Sequence, residues 1–283
     1  MALQLMFVTN RVDVAAAAQS AGVDRIFVDM EYIGKSDRQG GMDTVQNMHT
    51  LEDVKALREV LNTSTLHVRC NPVHDATTEY PSTEEEINSI IDAGADVIML
   101  PFFQNAEQVS RFIKAVDGRV KTNLLVETPE AAESIDEILE VEGIDEIHIG
   151  LNDLHLGYGM TFMFELVADG TVQKLCEKIA KKNISYGFGG VARVGTGTLP
   201  AECILGEHYR LGSERVILSR AFCDVAKEND FEVVKEKFNT GVRDIRKFEK
   251  ELLNTWNEET YKVNQLKTQE CVQKIVEIIK NKG

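Results

Sequence analysis

Two carboxylates in this 283-residue chain are placed to do chemistry together. Glu127 follows the apolar run Asn123-Leu124-Leu125-Val126, and Asp153 comes three positions after Gly150, which closes the run Glu146-Ile147-His148-Ile149. If the two runs are neighbouring strands of one barrel, the acids stand at adjacent strand mouths. There they can share a hard divalent cation such as Mg²⁺ or Mn²⁺. Two protein ligands leave most coordination positions to water and substrate oxygens, which suits a 2-oxo acid chelating through its carboxylate and ketone. A lone acid at a strand end more often caps the next helix; the pair, with an arginine nearby, argues for a site. That arginine is Arg69, in His67-Val68-Arg69-Cys70-Asn71, where positions 67, 69 and 71 share one face. Another run ends in Asp29-Met30-Glu31-Tyr32. The stretch Gly187-Phe188-Gly189-Gly190, with Arg193 beyond, offers backbone amides to a phosphate or carboxylate, or simply tight packing at a strand end.

The elements that must position these residues are announced by a recurring phrase. A helical pattern ends in Gly, a small or apolar residue and an acid follow, and a short apolar run comes next. It occurs at Gly22-Val23-Asp24, Gly94-Ala95-Asp96, Gly143-Ile144-Asp145 and Gly212-Ser213-Glu214. Glycine closes a helix in the left-handed conformation, and the short β-branched run reads as a buried parallel strand. Filling the gaps gives strands near 3–8, 25–30, 65–70, 96–101, 120–126, 145–150, 184–188 and 214–219. Thr50 with Asp53, and Ser82 with Glu85, mark helix starts. Eight alternations fit a (β/α)8 TIM barrel over residues 1–225, with extra C-terminal helices over 226–283. In the latter, Phe238, Val242, Ile245, Phe248, Leu252 and Trp256 form one apolar stripe and Val272, Ile275, Val276 and Ile279 a second. With eight helices already assigned to the barrel, these stripes are expected to pack outside it or on a neighbouring subunit.

A net charge of −15 repels phosphate backbones, so nucleic acid is excluded as a partner. No apolar run approaches the roughly 20 residues of a membrane span. No basic region precedes the short apolar run at the N-terminus, so no signal peptide is expected. The five scattered cysteines form no CxxC pair and fit a reducing cytoplasm. No GxGxxG follows the first strand and no phosphate-binding P-loop is present.

Three segments, AGVDRIFVDMEY, the VETPEA of residues 126–131 and the EVEGIDEIHIGLNDLHLGYGM of residues 140–160, resemble the aldolase and citrate lyase β-subunit family. More narrowly, they resemble the hydroxy-oxo-heptanedioate aldolases among the phosphoenolpyruvate/pyruvate-binding barrels, over roughly residues 1–225. The resemblance implies Glu127 and Asp153 as metal ligands and Arg69 as the group holding the ketone or enolate oxygen. It implies backbone amides around Gly150 and Asn152 as the seat of the substrate carboxylate, with Asp29 and Glu31 as the acids closing strand two. It also implies a homotrimer or homohexamer with exchanged C-terminal helices.

Two positions depart from those aldolases. Tyr32 stands where they carry a proton-transferring histidine, and Leu125 where they carry a glutamine. A free tyrosine titrates near pH 10, so Tyr32 is expected to shape the pocket or donate a hydrogen bond. Solvent at the metal, helped by Asp29 or Glu31, is then expected to take the proton. His67 and His74 are substitutes for the missing histidine, although a structural role suits each. The connection between Ile33 and His49 is long and carries Lys35, Asp37, Arg38, Gln39, Gly40 and Gly41; it is either a lid favouring a polyanionic substrate or a solvated loop. The resulting expectation is a metal-dependent carbon–carbon lyase acting on a 2-oxo acid through a pyruvate enolate. The alternatives are a citrate-lyase or malyl-CoA-lyase type of enzyme acting on a CoA thioester, and a silent barrel that binds metal and ligand without turnover. The aldehyde partner is not legible in the residues, because loop shape decides it.

Overall fold

A computed structural model describes residues 2–34, 47–228 and 230–281 of the protein. Eight parallel strands close into a barrel in sequence order. They are β1 Gln4–Val8, β2 Arg25–Asp29, β3 Thr65–Arg69, β4 Val97–Leu100, β5 Lys121–Val126, β6 Glu146–Ile149, β7 Ser185–Val191 and β8 Arg215–Leu218. The expected strands match closely except the seventh. The sequence places its end in the glycines, yet it runs through them to Val191, with a register slip between Gly187 and Gly190. Glycine-rich sequence inside a strand marks a bulge or a close approach, and here it is both. A Cβ on Gly187 would lie 2.2 Å from Arg215 Cγ and 2.4 Å from its carbonyl oxygen. Because the second atom is backbone of β8, Gly187→Ala is expected to cost about 3 kcal/mol, the upper end of overpacking penalties. Urea unfolding checks this; an unchanged midpoint would show that the two strands can part freely.

The recurring phrase has a structural reason at each end. Gly22, Gly94, Gly143 and Gly212 all have positive φ, between 68° and 98°. The acid that follows reaches back to the preceding strand. Asp24 Oδ2 accepts from the Leu5 amide, Asp96 Oδ2 from Leu66 and Asp145 Oδ2 from Thr122, each at 2.8 Å. Glu214 accepts from the Ser185 hydroxyl. Each phrase thus ends one helix and satisfies a donor at the start of the strand before it, once per pair of strands.

Helices α1 Val12–Ser20, α2 Leu51–Val60, α3 Thr83–Asp92 and α4 Ala106–Val116 cover the first half of the barrel. Both expected capping boxes are formed, at Thr50 and Ser82. Short helices follow: α5 Pro129–Glu133, α6 Ile135–Ile138, α7 Leu151–Gly157 and α8 Glu165–Ala168. The ring continues with α9 Thr171–Lys181 and α10 Ala201–Arg210. The C-terminal stretch is two long helices, α11 Phe231–Thr255 and α12 Glu258–Lys280. The first apolar stripe is not surplus to the barrel, as the sequence suggested. Helix α11 packs between α1 and α10, in the eighth place of the ring. It buries Val234, Phe238, Val242, Ile245 and Leu252, with the Phe238 ring edge-on to Phe7 at 4.8 Å. Of the two C-terminal helices, α12 is the one outside the ring. It packs on α10, where Asn264 Nδ2 donates to the Cys203 carbonyl and to Glu207, both at 3.0 Å. No helix of the described residues is long and apolar enough to cross a membrane.

Inside the barrel, side chains stack in layers. At the N-terminal end Arg25 grips Glu146 with two hydrogen bonds, of 2.6 and 2.8 Å, and Arg215 stands 3.5 Å from the same carboxylate. One step up, Phe27, Met99 and Leu125 form an apolar floor. His67 lies at this level, fully buried against the Phe27 ring. Burial, reinforced by Arg25 and Arg215, pushes its pKa well below the ordinary value. Burial and Arg215 likewise bring His148 to about 3, so both rings are neutral at physiological pH. His67 is therefore part of the core and does not reach the mouth.

Candidate active site

Above that floor, at the C-terminal ends of the strands, is a cavity of about 550 Å³. It gathers Asp29, Arg69, Glu127, Gly150, Asn152 and Asp153 from β2, β3, β5 and the start of α7. Gly189 and Gly190, from the glycine-rich end of β7, line it too. So do Asn10 and Arg11 after β1, and Ser219 and Arg220 after β8. Glu31, Tyr32, His67, His74 and Arg193 are not among the lining residues. Lys35, Asp37, Arg38, Gln39, Gly40 and Gly41 lie outside the described residues.

The position of Glu127 is fixed by its neighbours. Its Oε1 accepts from the Phe102 amide at 3.1 Å. Phe102 adopts a positive φ of 49°, which turns the chain after β4. Next along the chain, Thr128 caps α5 and its hydroxyl donates to the Phe103 carbonyl at 2.8 Å. The β4–α4 and β5–α5 turns are thus tied together under the carboxylate. Gly150 makes the approach of the next strand possible: a Cβ there would sit 2.9 Å from Glu127 Cβ and 3.1 Å from Oε2. Its own amide donates to the Val126 carbonyl at 2.9 Å. The Gly150 amide is thus engaged within the sheet, and Gly150 itself provides room. The donors that helix geometry leaves to a ligand are the first-turn amides of α7, at Leu151 and Asn152. The Asn152 side chain turns to Asp153, with Nδ2 3.0 Å from Oδ1.

Arg69 is held rigidly. Its Nε and Nη2 bind the two oxygens of Asp29 at 2.9 and 2.8 Å, and Nη1 stands 3.4 Å from Glu31. This follows from register, since Asp29 and Arg69 are paired across β2 and β3 and both point inward. Burial opposes the guanidinium charge, but Asp29, Glu31 and then Glu127 outweigh it and hold the pKa well above the ordinary value. Asp29 and Glu31 are thus the anchors of a permanently charged fork whose remaining N–H groups border the cavity.

Tyr32 points elsewhere. Its amide donates to Asn71 Oδ1 at 2.8 Å, and its hydroxyl donates to the backbone carbonyl of His49. Burial, and then Asp29, raise its pKa further from neutrality. His74 is engaged by backbone, with its ring nitrogens 2.7 Å from the carbonyls of Pro72 and Pro81. Arg193 packs beneath α11, its Cγ beside Gly241. The residue that sequence reasoning passes over is His49. It lines the cavity, and its Nδ1 lies 3.0 Å from the Asp29 amide. Its place immediately before the Thr50 cap, at the C-terminal face of the barrel, is the available signal.

Among the described residues no group of three or more His, Cys, Asp or Glu side chains is gathered as a metal site. What the mouth offers is a pair of carboxylates, Glu127 immediately after β5 and Asp153 in the first turn of the helix that follows β6. An all-oxygen pair suits a hard divalent cation that keeps waters or substrate oxygens in its remaining positions. The donor chemistry of Glu127 and Asp153 therefore fits such an ion.

A closed parallel barrel with acids and an arginine at its C-terminal mouth defines a (β/α)8-barrel enzyme scaffold. The chain belongs to the HpcH/HpaI aldolase/citrate lyase family, whose sequence profile matches residues 4–163. That family is one of aldolases and lyases. Solved structures with the same fold include an HpcH/HpaI aldolase from Desulfitobacterium hafniense DCB-2, at 17% identity and TM-score 0.59, covering 87% of this chain and 93% of the other. An HpcH/HpaI aldolase/citrate lyase family protein from Burkholderia cenocepacia J2315 has 13% identity and TM-score 0.58, covering 83% and 95%. The citrate synthase SbnG has 17% identity and TM-score 0.59, covering 83% and 94%. No curated protein matches the sequence.

Proposed function

We propose that the protein is a divalent-metal-dependent aldehyde-lyase of the class II aldolase type, cleaving or forming a 2-oxo acid through a pyruvate enolate. The observation that carries this reading is the convergence of Glu127, Asp153 and the partly buried, doubly anchored Arg69 on one cavity. Glu127 and Asp153 would hold Mg²⁺ or Mn²⁺, which supplies positive charge where the enolate oxygen develops. Arg69 directs its remaining N–H groups to that same oxygen, and its geometry is set before substrate arrives. The amides of Leu151 and Asn152 at the start of α7 receive the substrate carboxylate. Gly150 leaves the space for it beside Glu127. The apolar floor of Phe27, Met99 and Leu125 keeps water from beneath the reacting carbons. The test is pyruvate release from a panel of 4-hydroxy-2-oxo acids, with and without Mn²⁺. Cleavage of malyl-CoA or citryl-CoA to acetyl-CoA and an oxo acid, without pyruvate release from the panel, would overturn the reading.

The same proposal includes assembly as a homotrimer or homohexamer. Helix α12 buries only Asn264, Thr268 and Val272, while Val263, Leu266, Ile278 and Ile279 are exposed. Light scattering is expected to give three or six times the chain mass, and truncation after Thr255 to reduce it. A monomer would contradict the assembly without touching the chemistry.

A further inference from the structure

Strand β2 ends at Asp29, yet the chain beyond it stays tied to β3. The Met30 amide still bonds the Arg69 carbonyl, at 3.0 Å. Past that point a side chain takes over the part of the neighbouring strand. Asn71 Oδ1 accepts from the amides of Tyr32 and Ile33, at 2.8 and 2.9 Å. On its other side Asn71 is held by α3, whose start is set by the Ser82 capping box. The Asn71 Nδ2 and backbone amide both donate to Glu86 Oε1, at 2.9 and 3.1 Å. A backbone N–H can only donate, so the amide oxygen of Asn71 faces Tyr32 and Ile33 and its nitrogen faces Glu86. Glu86 Oε1 accepts from Asn71 whether or not the carboxyl carries a proton. Both side chains are buried.

These contacts close a ring around the cationic fork. Asp29 binds Arg69 at 2.9 and 2.8 Å, and Glu31 stands 3.4 Å from it. The Glu31 amide donates to Asp29 Oδ1 at 3.3 Å. Tyr32 and Ile33, next along the chain, are fastened to Asn71, which lies two positions after Arg69. The segment carrying both anchors is therefore fixed before them by the β2–β3 ladder and after them by Asn71. Both attachments refer back to the strand that carries Arg69. Neither Asn71 nor Glu86 lines the cavity. We infer that Asn71 is a positioning residue for the Arg69 fork, and that Glu86 is the group that orients its amide. The pair keeps Asp29 and Glu31 at the separation that aims the guanidinium at the cavity. In its consequence for catalysis this inference rests on the aldolase reading, which it deepens. A donor aimed at a developing oxyanion acts through its placement, so a small displacement of the fork lowers the rate without a change at any reacting atom.

The test is Asn71→Asp in the full-length protein, which keeps the shape of the side chain and an oxygen for the two amides. Its second oxygen meets Glu86 Oε1 where the parent has an N–H, and two carboxyl groups so placed repel unless they share a proton. In Asn71→Asp/Glu86→Gln the donor stands on residue 86 and the acceptor on residue 71, so the side-chain pair forms again with its direction reversed. In ¹H–¹⁵N spectra without metal or substrate, the Arg69 Nε–H signal is assigned by its loss in Arg69→Lys. It is expected to shift or broaden in Asn71→Asp and to move back in the double variant. In Mn²⁺-dependent exchange of the pyruvate methyl hydrogens in D₂O, kcat is expected to fall by about tenfold in Asn71→Asp and to recover most of that loss in the double variant. Mn²⁺ affinity stays near the parent's in both, because neither substitution touches Glu127 or Asp153. An Arg69 signal and an exchange rate at parental values in folded Asn71→Asp would overturn the inference and leave the aldolase reading standing. So would a double variant as impaired as the single one with a urea midpoint like the parent's. The expected Arg69 shifts in a protein whose parent exchanges no pyruvate hydrogens would instead overturn the aldolase reading and leave the placement of Arg69 by Asn71 standing.

Discussion

Glu127→Gln and Asp153→Asn are each expected to lower Mn²⁺ affinity by more than about a hundredfold and to abolish pyruvate release. The estimate is a floor, because replacing residues that merely orient metal ligands already costs about 10–100-fold. The amides are chosen over alanine for a structural reason. The Glu127→Gln side chain keeps an oxygen for the Phe102 amide, which otherwise loses its 3.1 Å acceptor. Losing a hydrogen bond to a carboxylate costs about 1.5–3 kcal/mol, and that loss would mimic a functional effect. With the hydrogen bond kept, the unfolding midpoint is expected to stay near the parent's, since residues at this face of a barrel serve activity more than stability. Calorimetric Mn²⁺ titration of the two variants decides the matter. Parent-like binding in both would remove the metal from these carboxylates.

Arg69→Lys is expected to lower kcat/KM by about a hundredfold or more, equivalent to roughly 3 kcal/mol of transition-state stabilisation. Lysine keeps the charge but not the planar fork. The parent arginine binds both oxygens of Asp29, at 2.9 and 2.8 Å, while still facing Glu31 and the cavity. One ammonium cannot span these positions. The variant also leaves two buried carboxylates sharing a poorer partner, so some loss of stability accompanies the loss of rate. Measuring the urea midpoint beside the kinetics separates the two effects. Near-parental turnover in a stable Arg69→Lys protein would make Arg69 a structural cation for Asp29 and Glu31.

Most of the scaffold is legible in the sequence because the phrase of glycine, spacer and acid has a local cause. The glycine adopts a conformation other residues resist, and Asp24, Asp96 and Asp145 each meet a strand amide. The seventh strand is hard to read because Gly187, Gly189 and Gly190 look like a turn when the close packing of Arg215 is not visible. Helix α11 looks like an addition because its lysines and glutamates alter the composition. The buried stripe that closes the ring is the better guide to its place. At the site, the pairing of Asp29 with Arg69 follows from inward positions on adjacent parallel strands, although its double hydrogen bond does not. The ladder bond of the Gly150 amide to Val126 follows from the fold rather than from the residues. His49 is easily missed because a long connection says little about where its far end lands. The Thr50 capping box, legible in the sequence, determines that landing.

The most direct measurement of the central claim is exchange of the pyruvate methyl hydrogens for deuterium in D₂O, followed by ¹H NMR. It reports enolate formation without needing the aldehyde partner. Metal-dependent enolisation at Glu127, Asp153 and Arg69 predicts exchange by the parent protein that stops after chelation and returns with Mn²⁺ or Mg²⁺. The same conditions should give no exchange in Glu127→Gln. Exchange that survives chelation, or is absent from the parent protein with either metal, would contradict it.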